Sequence, residues 1–456
     1  MHIAKCVAYG ATKLTGVIAV LICCVPLASI PRSDKSPASR PPMGWNSWDS
    51  YGTAVREVQV KANADVLARE LLRFGWRYIV VDIQWYEPNA GGHDYRAGAP
   101  LTMDQFGRLL PAPNRFPFAV GEDGFKDLAA YVHSKGLKFG IHIMRGIPRQ
   151  AVEQNLPILD TSYRAAEIAD RMNVCDWNQD MFGVDTSKPG AQAYYDSIVT
   201  LYASWGVDFI KADDMSRPYA LRAPEVHALS SAIRKSGASI ILSLSPGPAS
   251  IADAADLRNN AQMWRISDDF WDDWKLLKKQ FDYTRDWTPY IGKDDTWPDA
   301  DMLPLGKLRI TDKNGAPQQT RFTADEQQTV MTLWCMFRSP LIFGGDLPSA
   351  DPATLALLTN REVLEVDQNS SENQQVFERG DVRAWLADVP GTDDKYVAVF
   401  NFGDIAAKTH LNWTELGIQI ANPAVRDLWL HEDLGRERSL DVTLRPHASV
   451  LYRVSP

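Results

Sequence analysis

Short, largely apolar runs, most of them ending beside a polar residue, recur through the first three quarters of the chain, and they limit the folds open to it. Tyr78-Ile79-Val80-Val81-Asp82 is one, and Leu137-Lys138-Phe139-Gly140-Ile141-His142 is another. Val207-Asp208-Phe209-Ile210-Lys211, Ile240-Ile241-Leu242-Ser243-Leu244-Ser245 and Leu341-Ile342-Phe343-Gly344 follow. Amphipathic stretches, such as those over residues 58–72 and 124–134, lie between them. A strand with one wet face alternates apolar and polar residues, whereas a strand covered on both faces need not. Covered strands separated by helical patterns predict a parallel sheet with helical crossovers. Polar residues gathered at the C-terminal ends of such strands suit the catalytic face of a (β/α)8 barrel. The barrel is expected over residues 41–358. Beyond about Asn360 the pattern changes to short β-rich segments separated by turn residues. Arg383-Ala384-Trp385-Leu386-Ala387, Tyr396-Val397-Ala398-Val399-Phe400, Ala424-Val425-Arg426-Asp427-Leu428-Trp429 and Ser449-Val450-Leu451-Tyr452-Arg453 are examples. They predict a C-terminal antiparallel β-sandwich over residues 359–456. A length of 456 residues accommodates one large barrel and one smaller partner.

The N-terminus reads as a targeting segment. Lys5 and Lys13 precede an apolar run over residues 14–27, and Pro26-Leu27-Ala28-Ser29 offers a small-residue cleavage site. The run is shorter than the roughly 20 residues that a spanning helix needs. Residues 1–29 are therefore expected to be a cleaved signal peptide and the mature protein secreted or periplasmic, with a membrane role only through that signal. A retained anchor, or a lipid on Cys23, is the alternative. Residues 30–40 form a polar, Pro/Ser-rich linker. Cys175 and Cys335, the two cysteines beyond this region, have apolar or aromatic neighbours and are expected to be buried free thiols. The net charge of −9, with no basic tract interleaved with aromatics, argues against a nucleic-acid partner.

Glycoside hydrolysis requires two carboxyl groups flanking a glycosidic bond, one ionised and one able to give a proton. Asp213 is the candidate for the first. It ends the run Lys211-Ala212-Asp213-Asp214, and period-two alternation puts Lys211 on its face and Asp214 on the other. A neighbouring cation keeps a carboxyl ionised. Asp269 is the candidate for the second. The same alternation applied to Trp264-Arg265-Ile266-Ser267-Asp268-Asp269 groups Arg265, Ser267 and Asp269 and turns Asp268 away. Asp82 and Gln84 share a face from which they would reach sugar hydroxyls. Each of these positions also has a purely structural reading: a strand-end ion pair for Asp213, a loop salt bridge for Arg265, a buried structural ring for His142. Asp82, His142 and Asp213 could form a metal site, but no motif with metal-ligand spacing supports it, so neither metal nor cofactor is expected.

These residues fall within motifs that resemble family 27 glycoside hydrolases, the α-galactosidase and α-N-acetylgalactosaminidase family. Pro41-Pro42-Met43-Gly44-Trp45-Asn46-Ser47-Trp48 is similar to the family's first-strand signature, and 205–213 to its nucleophile strand. Trp264-Arg265 with Asp269, the run 297–303 and the run 339–347 resemble later family segments, and 425–429 its C-terminal β domain. The resemblance implies a retaining double displacement on an oligosaccharide or polysaccharide, with Asp213 as nucleophile and Asp269 as acid/base. It implies sugar-binding roles for Trp48, Asp82, Lys211 and Arg265, and puts His142 and Ser245 at sugar-facing positions. α-Galactosidase is the default activity. Departures from the family pattern lie in those sugar-facing positions. Ile83 stands where α-galactosidases carry the second of two adjacent acids, His142 replaces a tyrosine, and Ser243-Leu244-Ser245 replaces a Cys-Glu-Trp-like run. An isomalto-dextranase-like action on α-1,6-glucan, another glycan such as a β-L-arabinopyranoside, or a non-catalytic carbohydrate-binding role are the alternatives.

Overall fold

The computed structural model describes residues 37–311 and 318–456. The expected signal peptide and most of the linker lie outside them. Eight parallel strands form the first sheet: β1 (Met43–Asn46), β2 (Tyr78–Val81), β3 (Lys138–Met144), β4 (Phe209–Asp213), β5 (Ile241–Leu244), β6 (Met263–Arg265), β7 (Trp297–Asp299) and β8 (Leu341–Phe343). They follow one another in chain order around the sheet, β8 pairs with β1, and a parallel bridge between Leu303 and Phe343 joins the β7 and β8 ends. The sheet curls into the expected barrel. Its strands are buried almost throughout, as the unalternating runs required.

Close strand approach explains one residue of the first motif. A Cβ at Gly44 would stand 2.5 Å from the Tyr78 carbonyl oxygen, so β1 could not pair with β2 as it does with a larger residue there. Helical backbone runs from Glu57 to Phe74, widening over Leu67–Leu71, on the side of β2 predicted to be covered. Residues between β3 and β4 add a small three-stranded sheet of Ile147–Pro148, Ala169–Val174 and Met181–Val184, whose turns reach the C-terminal face of the barrel.

The second sheet begins at Ser371. Six antiparallel strands face the pair Ala407–Asn412 and Ser439–Leu444 across a separate core containing Val397, Leu411, Trp413 and Val425. The other face packs on the barrel. Phe281 meets Phe400 and Phe402 at ring-centre distances of 4.9 and 4.3 Å. Helix Ala324–Phe337, opened by a Thr323/Glu326 capping box, bonds to the sandwich through Gln328 to the Ser449 carbonyl (2.7 Å) and Thr329 to the His447 carbonyl (2.7 Å). The run expected to be one strand over residues 424–429 stops at Asp427, and Trp429 instead donates its indole N–H to Thr332 of that helix at 3.0 Å. Cys175 and Cys335 are buried free thiols, as expected.

Candidate active site

A cavity of about 380 Å³ opens at the C-terminal ends of the barrel strands. Seven of the eight expected residues line it: Trp48, Asp82, Lys211, Asp213, Ser245, Arg265 and Asp269. The eighth, His142, is fully buried and lies against Asp213.

Asp213 sits at the end of β4, where register places it beside Met144 of β3. Its Oδ2 accepts the Nε2–H of His142 at 3.1 Å, and its Oδ1 accepts the Ser245 hydroxyl and the Asp214 backbone N–H, each at 3.0 Å. Burial by itself would push this carboxyl up. The His142 bond and charge, the Lys211 ammonium and the Asp214 N–H overcome it and hold Asp213 far below the usual carboxylate range. One face of β4 also carries Lys211, whose Nζ lies 2.9 Å from Asp82 Oδ2; Asn46 Nδ2 donates to the same oxygen at 2.7 Å. Burial disfavours both charges of that pair, yet mutual attraction keeps Asp82 below and Lys211 above their ordinary values. The alternation argument therefore places Asp213 and Lys211 correctly, because β4 spans both.

For Asp269 the argument rests on a strand that ends at Arg265. Asp268 and Asp269 both line the cavity, contrary to the expectation that Asp268 turns away. Asp269 side chain is 59% exposed against 15% for Asp213, so the two carboxyls occupy the rim and the floor. Arg265 Nη2 lies 3.3 Å from Asp269 Oδ1 and 2.6 Å from Asp301 Oδ2, and the Phe270 N–H donates to the same Asp301 oxygen at 2.7 Å. Burial, opposed by Arg265 and reinforced by Asp269 and Asp299, pushes the Asp301 carboxyl up to about 7. Burial and the Asp301 charge likewise raise Asp49 well above its ordinary value, and Asp49 Oδ2 has no hydrogen-bond partner among the described residues.

Several lining residues escape the motif reading: Asp49, His93, Tyr95, Trp177, Arg217, Trp271 and Asp301. Asp301 lies within a quoted motif, and the high tryptophan count hints at the aromatic ones. His93, Tyr95, Trp177 and Arg217 sit on loops without a local signal. Gln84 is buried away from the cavity and donates to Asp180 at 2.6 Å. Ile83 is buried and forms part of the wall beside Asp82. Among the described residues, no group of three or more His, Cys, Asp or Glu side chains is arranged to hold a metal ion. A buried ionised carboxylate and a second carboxyl on the rim of one cavity are the elements of acid-assisted displacement at an acetal carbon.

The chain matches the family model described as alpha galactosidase A over residues 40–188 and 179–369, and the alpha galactosidase C-terminal beta sandwich domain over 379–454. It is 28% identical to alpha-galactosidase 2 of Arabidopsis thaliana over 92% of this chain and 90% of that protein. It resembles the crystal structure of a family 27 β-L-arabinopyranosidase from Geobacillus stearothermophilus, with 51% identity, 92% and 97% of the two chains covered and a TM-score of 0.89. Alpha-galactosidase I of Mortierella vinacea shares the fold at 21% identity, with 91% and 97% covered and a TM-score of 0.70.

Proposed function

This chain belongs to glycoside hydrolase family 27, and on that premise we propose that it is a retaining, exo-acting glycosidase that removes terminal β-L-arabinopyranosyl residues in preference to α-D-galactosyl residues. The observation that carries the chemistry is the contrast within one cavity. Asp213 is held ionised on the floor by His142, Ser245 and Lys211, and Asp269 stands on the open rim. Asp213 attacks the anomeric carbon. As the C–O bond breaks, the leaving oxygen takes a proton from Asp269, and a glycosyl ester of Asp213 remains. Water then attacks the same carbon, gives its proton to Asp269 and restores the Asp213 carboxylate. Two displacements return the original configuration. The buried Asp82–Lys211 pair offers both acceptors and donors to ring hydroxyls, and Trp48 an apolar face. No cofactor takes part in these steps.

Ile83 supports the choice of sugar. β-L-Arabinopyranosides have the ring configuration of α-D-galactosides without the hydroxymethyl group, so they present one hydroxyl fewer. An apolar wall that lacks an acceptor penalises a buried hydroxyl, and a lost hydrogen bond to a charged group costs about 1.5–3 kcal/mol. The Geobacillus β-L-arabinopyranosidase shares about half of its residues with this chain. α-D-Galactoside hydrolysis is the second reading, favoured by the α-galactosidase match that spans most of the chain. The test is kcat/KM on p-nitrophenyl β-L-arabinopyranoside against p-nitrophenyl α-D-galactopyranoside. At least a tenfold preference for the arabinoside is expected, and a preference for the galactoside selects the second reading. Export is also proposed, on Lys5, Lys13 and the apolar run that ends at Leu27. N-terminal sequencing of the protein recovered outside the cytoplasm would then begin near Ile30.

A further inference from the structure

Period-two alternation turns Asp214 away from Asp213, and its side chain, 2% exposed, is not among those that line the cavity. It enters a buried ion network instead. Asp214 Oδ2 lies 2.7 Å from Arg145 Nη2 and 2.8 Å from Arg145 Nε, and Asp214 Oδ1 lies 3.1 Å from Arg222 Nη2. Arg145 also donates from Nη1 to Glu225 Oε1 at 2.5 Å and from Nη2 to Asn173 Oδ1 at 3.0 Å. Glu225 Oε2 accepts the Tyr195 hydroxyl at 2.6 Å and the Val184 N–H at 3.0 Å. Arg145 directly follows β3, Asp214 directly follows β4, and Arg222 and Glu225 belong to the helix Tyr219–Ser236, so the network ties two neighbouring strand ends to the next helix.

Two carboxylates and two guanidiniums balance in charge, yet replacing a buried ion network by apolar packing of the same volume often costs no stability. What apolar packing could not supply is the geometry. Asp214 stands at φ +57°, a left-handed conformation that few side chains adopt. Its N–H donates to Asp213 Oδ1 at 3.0 Å. The other polar group of the same peptide unit, the Asp213 carbonyl, accepts the Arg145 backbone N–H at 3.0 Å. Arg145 therefore holds this peptide at two points, the carbonyl through its own main chain and the following side chain through its guanidinium. If the peptide plane turned over, Asp213 would lose the Asp214 donor and keep only Ser245 and His142.

We propose that Arg145 and Asp214 are positioning residues for the attack by Asp213: they lock the Asp213–Asp214 peptide plane and, through the Asp214 N–H, hold the Asp213 carboxylate in a single orientation toward the cavity. This role presupposes the glycosidase reading of Asp213. Neither Arg145 nor Asp214 lines the cavity, so neither is placed to touch a sugar, and their effect falls on the rate of attack and not on binding. A carboxylate free to rotate spends part of its time with no oxygen aimed at the anomeric carbon, and small misplacements of a reacting group are costly in rate. Arg222 and Glu225 act one step further out, by holding Asp214 and Arg145 in turn.

Asp214→Gly and Asp214→Asn separate the anchor from the backbone preference. Glycine adopts the left-handed conformation without steric cost but gives Arg145 nothing to hold. Asparagine tolerates the same conformation and still accepts from Arg145. Asp214→Gly is expected to lower kcat on p-nitrophenyl β-L-arabinopyranoside about tenfold or more, and Asp214→Asn to recover about threefold or more of that loss. Rates are taken per folded chain, counted from the calorimetric unfolding enthalpy. The Ki of L-arabinose as a competitive inhibitor is expected to stay within about twofold of wild type in both variants. An unchanged kcat in Asp214→Gly, a Ki that weakens in step with kcat, or an Asp214→Asn loss as large as that of Asp214→Gly would each overturn the proposal. If Asp214→Gly does not fold, combining it with Arg222→Met removes one carboxylate and one guanidinium together, and the same comparison is read on that protein. A wild type that prefers the galactoside changes only the probes, to p-nitrophenyl α-D-galactopyranoside and D-galactose. A folded wild type that cleaves neither ends the glycosidase reading, and this role with it. A crystal structure of Asp214→Gly gives a second measurement, independent of turnover. The Asp213 carboxylate is expected there in more than one orientation, and a single orientation with its bond to the N–H of residue 214 intact would also overturn the proposal.

Discussion

On the floor of the cavity, Asp82 and Asp213 face the Lys211 ammonium and the His142 N–H, and each carboxylate oxygen has a named partner. Across from them, Asp269, Asp299 and Asp301 share the Arg265 guanidinium, and Asp49 meets the carboxyls of Asp301 and Asp269 with Lys211 and Arg309 as its cations. Burial is severe on both sides, except at Asp269 on the rim. The outcome differs because of the charge count. Where cations and N–H donors match the carboxylates, Asp213 and Asp82 are held below their ordinary values. Where carboxyls outnumber cations, Asp49, Asp299 and Asp301 are pushed up. Similar residues are thus held toward the ionised form on one side and pushed toward the protonated form on the other. Desolvation sets the scale of both effects, and the number of partners sets their sign.

The largest effect expected from breaking this contrast is chemical. Asp213→Asn removes the carboxylate proposed as nucleophile and should lower kcat on the order of 10⁴-fold or more in a protein that still folds. Asp269→Ala should cost about 10²–10⁴-fold on a disaccharide and distinctly less on a glycosyl fluoride, whose leaving group needs no proton. Steady-state rates on both substrates check this. Identical losses at Asp269 for the two leaving groups would remove it from the acid role.

A smaller effect sharpens the charge argument. Asp301 is held near 7, against 3.8 for the free side chain. Below about pH 4 it is protonated in both the folded and the unfolded chain. Between about 4 and 7 the unfolded chain loses this proton first, so stability falls as pH rises through that window and then levels off. Asp301→Asn keeps a side chain able to accept from Arg265 and the Phe270 N–H while removing the titration. The Tm of the variant relative to wild type should therefore rise between pH 4.5 and pH 7.5. Asp213, held low, contributes in the opposite sense: its stabilisation is present above the unfolded value and is lost as pH falls, so Asp213→Asn should cost stability at neutral pH. A Tm difference for Asp301→Asn that is flat or declines with pH would contradict the charge count.

How much of this was legible in the sequence depends on whether a residue sits in a regular strand. The barrel follows from runs such as Tyr78–Val81 and Ile241–Leu244, whose burial on both faces is written in their composition. Lys211 and Asp213 follow from alternation because β4 reaches Asp213. Alternation could not rank Asp268 against Asp269, since β6 ends at Arg265 and the chain beyond it turns freely. His142 shows a different shortfall. Its strand and position were legible, but only packing reveals that its ring backs Asp213 and does not open to the cavity. The mouth was least legible. His93, Trp177 and Arg217 come from irregular loops whose meeting depends on the whole barrel, so no local period announces them.

Ile83 offers the smallest and most selective way to probe the contrast, because it stands on the charge-matched side without contributing charge. It lies beside Asp82, which is already satisfied by Asn46 and Lys211. Ile83→Asp would add a second carboxylate to a floor that has one ammonium, so the matched side would begin to resemble the other. Two consequences should separate. As an acceptor for an additional hydroxyl, the new carboxylate should shift the kcat/KM ratio toward p-nitrophenyl α-D-galactopyranoside by about 10- to 150-fold, the equivalent of about 1.5–3 kcal/mol. As an extra buried charge, it should lower Tm more at neutral than at acidic pH, because a crowded carboxyl titrates above its unfolded value. A folded variant with a lowered Tm but an unchanged substrate ratio would mean that Ile83 shapes the charge balance of the floor without reading the sugar, and the preference for a pentopyranoside would then have to come from another wall of the cavity.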